Sequence, residues 1–301
     1  MKKNSLLILL LFSFLMAYSQ SDKDRQKKIE KFIKDYPAWV YIPETGFQTA
    51  DGIIKAGNFL MFSSEVSNLD WREFVYYTSK QKGKEAADAM LPDTLLWLNL
   101  EKYADFVEYY YGRSNYKDFP VVNISYAQAE AYCKWLEDFY NSRQNKFYKK
   151  VTVSLPTEKE WIYAAMGGNQ QAVFSWPGEA VYGSKNESLG NFYQVNQANI
   201  VYGEGQLLQI GEKLRAYNWL NPGENSPAQA SSFKPNAYGL YNMSGNVAEY
   251  VKAEEGKNCI TKGGSWADPG YYLQINSKQE CDIKNSASPF RGFRPVLKME
   301  F

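Results

Sequence analysis

A chain of 301 residues with 45% hydrophobic residues is long enough to bury a sizeable core, as one large domain or two small ones. Its 34 basic and 33 acidic residues nearly cancel, and the one basic run, Lys23–Lys34, is mixed with Asp22, Asp24 and Glu30. It therefore reads as a solvated helix face and not a nucleic-acid surface. With no histidine in the chain, Ser-His and Cys-His nucleophilic machinery and the usual His-containing zinc site are excluded.

At the N-terminus, Met1-Lys-Lys precedes an apolar run, Leu6–Met16, and Ala17-Tyr18-Ser19 places small residues where signal peptidase reads them. Residues 1–19 are expected to be a secretory signal, whose removal takes the formal charge from +1 to −1. No cysteine near the cleavage point offers itself to a lipid, and no later apolar stretch reaches the roughly 20 residues of a membrane span. The mature chain is expected beyond the inner membrane without lipid anchor or transmembrane segment, in the periplasm or associated with the outer membrane.

Residues 20–38 form a charged N-terminal segment in which Ile29, Phe32 and Ile33 recur at helical spacing, an amphipathic helix for the domain or a partner to cover. Trp39–Ile42, before Pro43, and Phe59–Val66 have the aromatic and β-branched content of strands. Ser67 or Asn68 can cap a helix through about Tyr77, with Leu69, Trp71, Phe74 and Val75 available for burial. An insertion at about 82–118 follows. There Leu91-Pro-Asp-Thr94 breaks a helical pattern, and Leu95–Tyr111 is dense in bulky residues that either complete the core or form an interface with Tyr103, Tyr109, Tyr110 and Tyr111.

Ser125-Tyr-Ala-Gln128 and Thr157-Glu-Lys-Glu160 both have capping-box spacing. Ala129, Cys133, Leu136 and Tyr140 continue the first helix's apolar face, and Trp161 and Ala165 the second's. Gly167-Gly168 ends the second helix. Asn236–Val251 then packs two glycines, three asparagines and one carboxylate among apolar residues, which no continuous helix or strand accommodates. It reads as a shaped loop whose side-chain oxygens hold the turn together or hold a hard cation.

The order of Ser154-Leu-Pro-Thr-Glu-Lys-Glu-Trp161, Ala237–Glu249, Lys262-Gly-Gly-Ser-Trp266 and Gly292-Phe-Arg294 resembles the formylglycine-generating-enzyme, or sulfatase-modifying-factor, domain. The resemblance runs from about Trp39 to about Val296. It implies an α+β fold of C-type-lectin-like kind, with short strands and helices and much irregular structure, over residues 39–301. Leu91-Pro-Asp-Thr94 with Trp97, then aromatic residues to Asp118-Phe-Pro-Val-Val122, resembles a narrower branch, the gliding-motility proteins of the type IX secretion apparatus.

The family's oxidases bind copper through two cysteines shortly after Gly-Gly-Ser. Here the resemblance puts Asp268 and Leu273 at those positions, a pair that cannot replace the soft thiolates copper(I) prefers. Neither copper nor the iron of the histidine-using branch is expected. The resemblance does imply calcium, held by side-chain oxygens and backbone carbonyls at positions matching Asn242, Gly245, Val247 and Glu249, with a second family site at Asn199 and Ile200; spacing alone favours a hydrogen-bonded turn. Ser265, Trp266, Asp268 and Arg291 fall where the family forms its substrate cleft, as groove or as packing. Arg294 reads as a guanidinium buried against carbonyls or a carboxylate. Cys259 and Cys281 flank that region, as a disulfide or as two buried thiols. Two functions remain: a non-catalytic binding or assembly protein among envelope partners, and an enzyme of altered chemistry with Asp268 as its acid or base. An enclosed, charged pocket around Asp268 favours the second, and a filled cleft the first.

Overall fold

The computed structural model describes residues 22–49, 52–185, 187–193, 200–202, 208–210, 226–253 and 257–301. The secretory signal expected at 1–19 and the calcium position Asn199 lie outside the described residues. Ile200 opens a short strand, Ile200–Tyr202, of which only the backbone enters the description.

A first helix, α1 (22–35), buries Ile29 and Phe32 on the domain itself, with the Phe32 ring against Tyr36, Tyr140 and Tyr148. Strands β1 (Trp39–Ile42) and β4 (Phe59–Phe62) flank a hairpin of β2 (Thr45–Thr49) and β3 (Gly52–Ala56). The strand read at Phe59–Val66 stops at Phe62. Beyond it the backbone leaves the ladder, with Ser63 N bonding Ala38 O and Val66 N bonding Phe293 O.

Three helices begin at expected caps, two of them at the capping boxes and the first at Ser67, the choice left open between Ser67 and Asn68. Helix α2 (Asn68–Lys82) is capped by Ser67 with Asp70 and stopped at Gly83, whose φ of 88° suits glycine. It outlasts the expected end at Tyr77. Trp71 and Phe74 are buried as expected, whereas Leu69, two residues before Trp71 and so on the opposite face, is 42% exposed. Helix α5 (Tyr126–Asn141), behind Ser125 and Gln128, buries Ala129, Cys133, Leu136 and Tyr140. Helix α6 (Glu158–Ala165), behind Thr157 and Glu160, buries Trp161 and Ala165.

One sheet has the order β1-β4-β12-β5, with β5 at Lys150–Ser154 and β12 at Val296–Glu300. Alternation along β4 sends Leu60 and Phe62 into a core shared with α1, α2 and α5. Phe59 and Met61 go to the other side, with Trp161, Leu240 and Met243. Both faces are covered, which is why these four residues are an unbroken apolar run. The second sheet has the order β10-β9-β8-β11, from Gln279–Cys281, Cys259–Lys262, Ala248–Val251 and Arg291–Gly292. Cys259 and Cys281 face each other across β9 and β10 and form a disulfide; Cys133 is buried and free.

The insertion is a chain of short turns: α3 (Lys84–Asp88), a 3₁₀ segment Thr94–Asn99, α4 (Phe106–Tyr109) and a 3₁₀ turn Ser114–Tyr116. Its aromatic residues point inward, so of the two readings left open for them it is the core that they complete. Trp97 and Tyr110 are buried, the Tyr110 hydroxyl donates to Pro120 O at 2.7 Å, and Tyr111 packs partly against the main core. Tyr103 packs on Trp266, and the Tyr109 ring is covered by the Arg113 guanidinium at 3.6 Å. What the insertion exposes is leucine: Leu91, Leu95 and Leu98.

Candidate functional site

The loop from Asn236 to Val247 is shaped by its amides. Asn236 Nδ2 donates to the carbonyls of Ala164 and Ala165 at the end of α6, while its Oδ1 accepts from Tyr238 N and Leu240 N. Asn242 and Asn246 take φ of 53° and 70°, the left-handed region that asparagine tolerates best after glycine. At Gly245, φ is 100° and an added Cβ would stand 2.5 Å from Asn191 O, so only glycine lets the loop lie on that backbone.

Beneath the loop lies a buried polar cluster. Arg294, 0% exposed, donates through Nε and Nη2 to Glu249 at 2.6–2.9 Å, and through its other hydrogens to the carbonyls of Phe62, Ser63 and Tyr241. Trp161 Nε1 donates to Glu249 Oε2 at 2.8 Å. The expected role of Arg294 is thus met by carboxylate and carbonyls together. A second carboxylate, Glu65, accepts from Asn246 Nδ2 at 2.9 Å and Asn242 Nδ2 at 3.2 Å, and stands 4.0 Å from Arg294. Burial, only partly offset by Arg294 and reinforced by Glu249, pushes the Glu65 carboxyl up to about 8.

Of the four calcium positions, Asn242 suits a cation: its Oδ1 is buried with no hydrogen-bond partner. Glu249 is turned to other partners, because three N–H groups, Arg294 Nε shared between both oxygens, Arg294 Nη2 on Oε1 and Trp161 Nε1 on Oε2, already engage both oxygens of its carboxylate. Gly245 and Val247 would contribute backbone carbonyls, which neither the Gly245 N–H bond to Gly263 O nor the packing of the Val247 side chain near Trp266 occupies. The arrangement thus offers a cation Asn242 Oδ1 and these carbonyls, while Glu249 is turned to Arg294 and Trp161; no step is assigned to the metal.

Among the described residues, each of the four cleft residues is engaged by its neighbours. Ser265 N and Oγ donate to Asp268 Oδ2 at 2.8 and 2.6 Å, and Gln279 Nε2 donates to Oδ1 at 2.8 Å. Asp268 is the cap of its own turn. Trp266 is 5% exposed, bonds Pro289 O through Nε1, and is packed by Trp97, Tyr103 and Phe290 at centroid distances of 6.4, 5.4 and 5.0 Å. Arg291, half-buried, donates to Ser286 O. Leu273, at the other vanished thiolate position, is fully buried beside Phe174 and Phe192. Sequence reading missed Glu65, Asn191 and Trp161 as members of the buried cluster; a lone carboxylate in the apolar run Phe59–Val66 was the signal for Glu65.

A family model described as "Sulfatase-modifying factor enzyme 1-like domain" matches residues 27–299. The chain is 32% identical over 166 residues to a formylglycine-generating enzyme of Bos taurus, covering 50% of this chain and 35% of that protein. To an inactive C-alpha-formylglycine-generating enzyme 2, also of Bos taurus, it is 29% identical over 187 residues, 59% of this chain and 50% of the relative. The chain thus spans between a third and a half of the length of these relatives. Among solved structures, PvdO from Pseudomonas aeruginosa superposes with a TM-score of 0.53 over 87% of this chain and 93% of that one, at 16% identity, a likeness of fold.

Proposed function

The chain belongs to the sulfatase-modifying factor enzyme 1-like domain family, and from that premise we propose that it is a non-catalytic member, exported and working by contact with other envelope proteins. The observation that carries this reading is how the cleft residues are engaged. Trp97 and Tyr103 of the insertion cover Trp266, Asp268 is committed to Ser265 and Gln279, and Leu273 is core. No pair of thiolates stands where the oxidases need them, and the carboxylate at one of those positions has its oxygens occupied. The inactive relative supports the same reading, since the family accommodates members without the activity.

Export rests on the signal-like 1–19. Association with the type IX secretion and gliding machinery rests on the likeness of the segment around Leu91-Pro-Asp-Thr94 and Trp97 to that branch. No described helix is long and apolar enough to cross a membrane.

Two measurements test the proposal. Supplied with copper, oxygen and a sulfatase peptide, the chain is expected to give no cysteine-to-aldehyde mass change above a no-enzyme control; the appearance of that change would restore an enzymatic reading. Affinity isolation of the mature chain from its own envelope, with reciprocal capture, is expected to recover a reproducible partner protein. Recovery of nothing reproducible would remove the assembly reading.

A further inference from the structure

On a different side of the fold, none of whose residues belongs to the family motifs, α2, α3 and α5 leave a groove of about 480 Å³. Its floor is apolar and aromatic: Phe74, Met90, Trp135 and Phe139, with the Tyr77 ring stacked on Trp135 at 6.2 Å and 43% exposed. The volume lies in the range of sites that engulf a bound group, not of surface dimples. Thr78, Gln81 and Ser142 add hydrogen-bonding groups to the lining.

The charges around it are uneven. Lys134 and Asp138 also line the groove but are spent on each other at 2.8 Å, with Glu137 as a second partner for the lysine. What remains is Lys82 at the rim and Arg143, whose guanidinium lies 4.4 Å from the centroid of Phe139. Neither forms an ion pair among the described residues. An apolar floor with Lys82 in its lining, and Arg143 just outside it stacked on Phe139, is complementary to a bulky apolar group carried next to carboxylates. The added amide and hydroxyl groups favour a peptide, whose backbone needs such partners, over an acyl chain, whose body does not.

We propose that this groove binds an acidic segment of a partner protein, seating one aromatic or long aliphatic side chain between Trp135, Phe139 and Met90 while its carboxylates meet Lys82 and Arg143. The assignment extends the binding role argued above to a particular surface, and it can fail while that reading of the cleft residues stands.

The test is selection of random dodecapeptides on the immobilised full chain, followed by fluorescence anisotropy of labelled winners. Ala89→Trp, at an exposed position on the groove wall, obstructs the groove without touching the core, and a melting curve matching wild type confirms that it folds. Enriched sequences are expected to join Trp, Phe or Leu to Asp or Glu. Ala89→Trp should weaken them about ten-fold or more, and Lys82→Glu with Arg143→Glu should abolish the acidic preference. Enrichment without acidic bias, winners that bind Ala89→Trp equally well, or no enrichment at all would overturn the proposal. Saturable binding of laurate in place of any peptide would assign the groove to a lipid and overturn it as well.

Discussion

Glu249 and Arg294 meet where no water reaches, so each is tolerable only because the other is there. Glu249→Gln leaves a guanidinium buried without its counter-charge, and we expect a loss of about 3 kcal/mol in urea unfolding. The loss should be the same in calcium and in chelator, since the oxygens concerned serve Arg294 and Trp161. A chelator effect on wild type that disappears in Glu249→Gln would instead make Glu249 a ligand. Glu65 gives a pH dependence of definite sign. With its carboxyl raised from 4.5 in the free side chain to about 8 by burial, the folded state holds a proton that the unfolded state releases. The contribution is complete below about 4.5 and lost as pH rises through about 8, so urea midpoints should fall across that window. Glu65→Gln should flatten the slope, and an unchanged slope would place its origin elsewhere. Arg294 was legible in sequence because glycine, phenylalanine and arginine inside an apolar run leave the cation nowhere to go but a buried partner. Which carboxylate it meets was not, since Glu249 and Glu65 stand 45 and 229 positions away in the chain and only the fold brings them together.

Elements with local causes were the readable ones. Ser67, Ser125 and Thr157 each cap a helix through a partner three residues on, a device contained in four consecutive residues. The two-residue β11 and three-residue β10 have no such internal signal; they are strands only because β8 and β9 lie alongside. Inward-facing aromatics in the insertion were ambiguous for the same reason, because their cover, Trp266, comes from far downstream. The disulfide joins one of these, β10, to β9 across a 22-residue separation. In the chain-entropy model it constrains the unfolded state by about 3 kcal/mol. Reductant, or Cys259→Ser with Cys281→Ser, should lower unfolding free energy by about that amount. A difference below the error of the urea curves would mean that β9 and β10 hold together without it.

At the scale of the molecule, four ordered motifs were enough to specify the α+β fold, whereas the way the cleft residues are engaged by their neighbours had to be seen. Asp268 in sequence is a carboxylate at a catalytic address; in the fold it is a turn cap. A further consequence lies in where β12 sits. Val296–Glu300 is the middle strand between β4 and β5, Arg294 just before it anchors the polar cluster, and β11 closes the edge of the second sheet. Until residues 291–300 leave the ribosome, the edges of β4 and β5 face each other unpaired and Glu249 lacks its counter-ion. The emerging chain therefore carries two open sheet edges and a buried charge without its partner until that segment is made, and is exposed to aggregation if its synthesis is delayed.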